Sequence, residues 1–183
     1  MSDTLLSVDP ANRSGFALWS GDMLITCGVL RAVGKAGKWV AEFPDGERIT
    51  FASELEAWQS VVKRASHCVC EVGRGSFRNA DMPLGKRLGY IRTVVEMCCS
   101  TYHEIALSEW RRVVKESLGI AWPAGKAVKQ KAQDIVRSRY GRDVSEDTAD
   151  AILIGYAWQR LWRDDDLRRQ DGPRGGRGKV LLA

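Results

Sequence analysis

No window of the 183-residue chain approaches the roughly 18 consecutive apolar residues of a membrane span, and its opening MSDTLLSVDP lacks a basic stretch followed by a sustained apolar run. A cytoplasmic location is therefore expected. Cys27, Cys68, Cys70, Cys98 and Cys99 contain no CxxC spacing, and the adjacent pair suits neither a simple disulfide nor a zinc site. The five read as reduced, small core residues. Only two histidines occur, His67 and His103, both in or at the entry of strand-like runs, and neither is assigned a catalytic role. No second glycine-rich adenosine loop follows the DxxxxxG stretch from Asp9 to Gly15, and the chain is too short for two lobes, which excludes an actin-like ATPase.

What is present fits one globular domain. Hydrophobic residues are 44% and charged residues 28% of the chain, too apolar for wholesale disorder. A chain of this length buries roughly 70% of its unfolded surface on folding. Lys and Arg number 28 against 23 Asp and Glu, and the net charge of +5 favours an anionic partner.

Residues 4–8 form an apolar run ending at Asp9-Pro10, where proline forces an extended exit, so the first strand ends in an acid. Residues 15–19 and 23–30 read as two more strands around the polar turn Ser20-Gly21-Asp22. Between Arg31 and Thr50, the Gly34-Lys35-Ala36-Gly37 run and the Pro44-Asp45-Gly46 turn flank residues 38–43, read either as an inserted hairpin or as an irregular loop. Ser53 and Glu56 make a capping box for a helix carrying Leu55, Trp58, Val61 and Val62, expected to run to about Ala65. Residues 67–72 are a compact strand delivering Glu71 near its end, followed by a glycine-rich basic segment, Gly73 to Arg78. A helix over 84–99, a strand over 104–107, and helices from Trp110 onward, over 127–140 and over 144–162, complete the pattern. Asp143, with Glu146, is the expected cap of the last helix. The expected organisation is one folded domain over 1–163 and a flexible basic tail over 164–183, where Gly, Pro and Arg dominate.

Asp9, Glu71 and the pair Asp147/Asp150 carry the chemical reading. Asp147 and Asp150 stand at i, i+3 and project from one helical face. Taken singly, each acid has an ordinary use: a turn beside proline, a solvated strand end, complements to a helix dipole. Together they suit phosphodiester hydrolysis. That reaction needs an activated water, neutralised charge at phosphorus and a stabilised leaving 3′ oxygen, which two divalent ions about 4 Å apart supply. Mg²⁺, or Mn²⁺ in its place, prefers carboxylate oxygens.

The residues around these acids resemble the RuvC family of Holliday junction resolvases. Leu6-Ser7-Val8-Asp9-Pro10-Ala11-Asn12-Arg13-Ser14-Gly15-Phe16-Ala17 is similar to the first motif, with Ala11 where glycine is usual. Cys70-Glu71 with Asn79-Ala80-Asp81 resembles the second, Ala127 to Gln133 the Lys-Ser-Gln-x-Gln helix, and Asp147-Thr148-Ala149-Asp150-Ala151 the closing motif. The resemblance implies an RNase H-like α/β fold, a mixed five-stranded sheet with three antiparallel strands then two parallel, flanked by helices. It implies metal-binding, catalytic Asp9, Glu71, Asp147 and Asp150, with Lys129 near the scissile phosphate. It also implies two Mg²⁺ or Mn²⁺ ions per site and a homodimer that cuts a four-way DNA junction with symmetric nicks. Family members place an aromatic residue shortly after the second acid to wedge the crossover; here that position is Arg74, and Phe77 is the alternative wedge or a residue pinning its loop to the core.

From Arg111 to Arg139, eight basic residues stand against Glu116 and Asp134, a local charge of +6 that suits DNA phosphates or a solvated helix face. Arg74, Arg78, Lys115, Lys126 and Lys131 are the expected DNA contacts. Competing readings are a nuclease of the same fold acting on flaps or RNA–DNA hybrids, which a monomer in solution would favour, and a non-catalytic DNA-binding scaffold.

Overall fold

The computed structural model describes residues 4–34, 37–72, 82–98 and 101–170. Strands β1 (Thr4–Asp9), β2 (Arg13–Ser20), β3 (Met23–Val33), β4 (Lys38–Glu42) and β5 (Arg48–Phe51) precede helix α1 (Glu54–Val62). Strand β6 (His67–Val72), helix α2 (Met82–Cys98), strand β7 (Thr101–Ala106) and helices α3 (Leu107–Leu118), α4 (Ala127–Tyr140) and α5 (Glu146–Gln170) follow.

All seven strands join one sheet in the order β5-β4-β3-β2-β1-β6-β7. β1 pairs parallel with β6 and β6 with β7, while the remaining pairs are antiparallel. The expected three antiparallel and two parallel strands are present, but the sheet has seven strands rather than five. Residues 38–51 resolve into a hairpin, β4 and β5, that pairs onto the free edge of β3.

Strand β1 is central, so its residues are buried on both sides. Leu6 and Val8 join Phe16, Leu18, Trp39 and Ala41 against α1 and α2. Leu5 joins Ala17, Trp19, Val69 and Ile105 against α3, α4 and α5. By strand alternation Ser7 and Asp9 face the α3–α5 side with Leu5. Ser7 Oγ accepts from Trp19 Nε1 at 3.1 Å and donates to Ala17 O at 3.3 Å, which satisfies a buried hydroxyl beneath α5.

Several boundaries differ from those expected. α1 stops at Val62 because the chain tightens there, Ala65 N donating to Val62 O. α3 starts at Leu107, directly after β7 and without an intervening turn. The cap of α5 is Ser145, not Asp143: Thr148 N donates to Ser145 Oγ at 3.3 Å and Ala149 N to Ser145 O at 2.9 Å. Asp143 instead pairs with Arg137 Nε. α5 continues to Gln170, past the helix end expected at residue 162, and residues 171–183 lie outside the described residues. At α1, Ser53 Oγ accepts from Glu56 N and Glu56 reaches back to Ala52 N, much as the capping box requires.

Cys27, Cys68 and Cys70 are buried and Cys98 half-buried, all as reduced thiols; Cys99 lies outside the described residues. Trp19, Trp58 and Trp110 are fully buried. Among the described residues no helix is long and apolar enough to cross a membrane.

Two glycines let α5 lie close on β1 and β2. A β-carbon on Gly155 would sit 2.3 Å from Trp19 Nε1 and 2.6 Å from Ser7 Oγ. On α2, by contrast, a β-carbon on Gly89 meets nothing within 4 Å. Gly89→Ala is expected to stabilise by up to about 1 kcal/mol through helix propensity. Gly155→Ala should cost a net ~1–3 kcal/mol because the added methyl must displace a buried hydrogen-bonded pair. Urea denaturation of both variants checks this; a stabilising Gly155→Ala would show that the packing yields.

Candidate metal and phosphate site

Asp9 ends β1, and Glu71 lies on the parallel strand β6 one residue past the registered pair Val8–Cys70. Both acids reach the same end of the sheet on the α3–α5 side. Asp9 pairs across to Gly15 on β2. A β-carbon on Gly15 would lie 1.9 Å from Asp147 O, so the first turn of α5 rests directly on the sheet backbone beside Asp9. That contact brings Asp147 and Asp150 to the two strand-borne acids.

The turn after Asp9 is held from several directions. Ser14 Oγ donates to Ala11 O at 2.8 Å and accepts from Ala11 N at 3.2 Å, and Arg87 Nη1 also donates to Ala11 O at 3.0 Å. Among the described residues no non-glycine has a positive φ, so alanine at position 11 is accommodated without backbone strain.

The charges of neighbouring acids act on Asp9 and Asp150. Burial, reinforced by Glu71, Asp150 and Asp147, pushes the Asp9 carboxyl up to about 8, with Lys129 opposing. Burial, with Glu71 next, raises Asp150 to about 6. Burial also raises Glu71, while the Trp110 hydrogen bond and the Arg111 charge hold it down. Glu71 Oε2 accepts from Trp110 Nε1 at 2.8 Å, and Asp147 Oδ2 lies 3.4 Å from Arg13 Nε. No three His, Cys, Asp or Glu side chains among the described residues form a closed ligand group. The donor set still fits a hard divalent cation, because four oxygen-donor carboxyls share a poorly solvated edge that protein cations neutralise only in part.

Lys129 on α4 reaches this edge. Its Nζ is 2.6 Å from Glu146 Oε2, and its charge acts on Asp9 and Asp150. Lys115 and Lys126 are exposed on α3 and at the start of α4. Lys131, roughly 200° around α4 from Lys129, lines a separate groove with Leu118, Ile120, Asp134 and Ser138. Arg74, Phe77 and Arg78 lie outside the described residues. His67 and His103 stack on one another with Trp158 and Trp162 nearby. A cavity of about 180 Å³, lined by Thr4, Leu5 and His67, opens there, at the opposite ends of the strands from the acids.

Arg111, which the sequence reading counted only within a basic run, acts on Glu71 and Asp150 through its charge. Its guanidinium lies over the rings of Trp110 and Trp122, at 5.2 and 5.6 Å, and its Nε is buried with no hydrogen-bond partner among the described residues. Trp122 Nε1 donates to Arg111 O at 2.8 Å. The Trp110-Arg111 pair on the apolar side of a strongly amphipathic helix is the signal that could have singled it out.

Three antiparallel strands continued by two parallel ones, helices on both faces and acids at the ends of the central strands define an RNase H-like fold. The fold is that of RuvC, shared with two solved structures from Thermus thermophilus. RuvC in complex with a Holliday junction substrate has a TM-score of 0.54 at 13% identity, covering 89% of this chain and 96% of that one. A second RuvC structure has a TM-score of 0.53 at 15% identity, covering 88% and 96%. No known family model matches the chain. No curated protein matches it.

A carboxyl whose pKa is raised by folding takes up a proton on folding. Its contribution to stability is therefore full below about pH 4 and lost as pH rises through about 8. In EDTA, the thermal midpoint should fall across that window. Asp9→Asn should flatten the fall and raise the midpoint near pH 8.5 by several degrees, given about 2–4 °C per kcal/mol for a chain of this size. Scanning calorimetry tests it; an unaltered pH dependence in Asp9→Asn would mean that Asp9 is ionised without cost.

Proposed function

We propose that this chain is a divalent-metal-dependent endonuclease that resolves four-way DNA junctions. The observation that carries the reading is the convergence of Asp9, Glu71, Asp147 and Asp150, from three distant segments, on one sheet edge where burial and mutual repulsion hold Asp9 near pKa 8. The likeness in fold to RuvC, one copy of which was solved with a Holliday junction substrate, supports the substrate class.

In this reading the four acids hold two Mg²⁺ ions, or Mn²⁺, which would supply the activated water and the charge neutralisation that phosphodiester cleavage needs. Asp9 and Glu71 are fixed by their strands, and Asp147 and Asp150 by the Ser145 cap and the Gly15 contact. Lys129, whose charge acts on Asp9 and Asp150, would meet the scissile phosphate, and its tether to Glu146 favours its charged form. Arg111, held against two indoles, acts on Glu71 and Asp150 through its charge and would add a cation for the phosphate at the same edge. Arg74, Arg78, Lys115, Lys126 and Lys131 contact the DNA backbone, and Phe77 wedges the crossover. A homodimer presents two such sites to a roughly symmetric junction and nicks it symmetrically.

The decisive experiment incubates the chain with a synthetic four-way junction and with matched duplex, with and without Mg²⁺. Paired nicks on the junction alone, abolished by EDTA and reduced at least ~100-fold in Asp147→Asn, are expected. Equal cutting of duplex, or cutting that survives Asp147→Asn, would refute the assignment. Arg111→Ala should slow single-turnover junction cleavage about 10- to 100-fold, the cost of about 1.5–3 kcal/mol for a lost bond to a charged group, with Arg111→Lys partly restoring it. Full activity in Arg111→Ala would reduce Arg111 to a packing residue.

A further inference from the structure

Among the described residues, one face of the outer hairpin contributes nothing to either helix-covered core. Registration places its residues: Arg13 pairs with Arg31, Arg31 with Val40 and Val40 with Thr50, while Gly15 pairs with Val29, Val29 with Glu42 and Glu42 with Arg48. Side chains directly opposite one another share a face, as do residues two apart along a strand. Arg13, Arg31, Lys38, Glu42 and Arg48 therefore point to one side, the side on which α5 lies against β2. On the other side, Trp39, Ala41 and Phe51 pack under Ala57, Trp58, Val61 and Val62 of α1. The buried core beneath α3–α5 takes nothing from β4 or β5. Val29 and Val40 on the open face are buried without belonging to either helix-covered core.

The charges on this face are organised. Glu42 holds two arginines, Arg31 by bonds of 2.8 and 2.7 Å and Arg48 at 2.7 Å, and these cations draw its carboxyl below the usual range. One half-buried acid thus orders two of the four cations on this face, Arg31 and Arg48, and the four cations with Glu42 sum to a formal charge of +3. The Arg48 side chain remains 66% exposed and that of Arg13 53%, so both retain donors for an outside anion. Asp45 and Glu47 in the β4–β5 turn bound the row at one end.

This row is continuous with the acid edge. Arg13 contacts Asp147, and a groove of about 460 Å³ lined by Arg13, Val29, Glu42, Ser145 and Thr148 joins the two surfaces. Asp9, Gly15, Val29, Glu42 and Arg48 stand in register across five strands. At about 4.8 Å per strand, Arg48 lies ~19 Å from Asp9, roughly five to six base-pair steps of 3.4 Å.

We propose that the open face of β3–β4–β5 is a nucleic-acid backbone track, in which Arg13, Arg31, Lys38 and Arg48 carry one arm of the substrate away from the acid edge. It rests on the nuclease reading for its substrate and extends that reading to a surface built from the two strands beyond the expected five. A bare solvated edge, made basic only to discourage strand pairing between copies, is the alternative.

The test measures binding of a fluorescein-labelled four-way junction by anisotropy across a salt series, in Ca²⁺ to hold cleavage back. Lys38→Ala, Arg48→Ala and the double variant are compared with Lys63→Ala, an exposed lysine just after α1, the helix packed on the opposite sheet face. On a junction with arms of about 20 base pairs, the double variant should bind about 5- to 20-fold more weakly, with its salt slope smaller by about two. On a junction whose arms are capped after about four base pairs, too short to span ~19 Å, the same variant should bind like the parent. Lys63→Ala should match the parent on both. Unchanged long-arm binding in the double variant, or an equal loss in Lys63→Ala, overturns the track. Mg²⁺-dependent cutting by the parent is scored separately. Cutting with no Arg48 or Lys38 effect sinks the track alone, an arm-length-dependent effect without cutting sinks the nuclease reading alone, and no binding by the parent sinks both.

Discussion

The carbonyl of Asp147 lies where a β-carbon on Gly15 would be, and this backbone-to-backbone contact determines the geometry of the acid edge. Gly15 is paired with Asp9, so the one gap in the side-chain surface of β2 lies beside the acid that ends β1. Into that gap the first turn of α5 descends, capped by Ser145 and steadied further along where Gly155 meets Trp19 and Ser7. Any larger residue at position 15 would lift the helix, and with it Asp147 and Asp150, off the sheet.

Bringing four carboxyls together in a partly desolvated place works against folding, and the neighbouring side chains show how the chain manages it. Trp110 hydrogen-bonds Glu71, Arg13 pairs with Asp147, and Arg111 and Lys129 act on the acids through their charge. The compensation is incomplete, as the raised Asp9 carboxyl shows. Sites that must bind a strongly charged partner commonly keep such unrelieved charge at the expense of stability. The same economy appears on the outer hairpin with the signs reversed, where a single glutamate orders a surplus of arginines.

Much of the fold was legible along the chain because its signals are local. Apolar runs punctuated by Asp9-Pro10 and by Glu71 before a glycine-rich stretch read as strands ending in acids, and the i, i+3 spacing of Asp147 and Asp150 put both on one helical face. The hairpin over residues 38–51 resisted a single reading because its strands are short and only one side is covered, which leaves a weak hydrophobic pattern. The cap of α5 was misassigned because Asp143 and Ser145 are both good capping residues; the tie between Arg137 and Asp143 takes the aspartate out of contention. Arg111 looked like one of many basic residues until Trp110 and Trp122 were found to enclose it.

By itself, then, the amino-acid order determined which segments become strands and helices, which acids stand at their ends and that the chain carries a basic excess. These follow from periodicity, capping and turn chemistry within a few residues of each position. Only the tertiary structure decided that the hairpin extends the sheet to seven strands, that Arg13, Arg31, Lys38 and Arg48 share a face, and that α5 approaches Asp9 closely enough for their charges to interact. Those outcomes depend on strand registration and on a glycine meeting a distant helix turn, contacts between residues far apart in sequence.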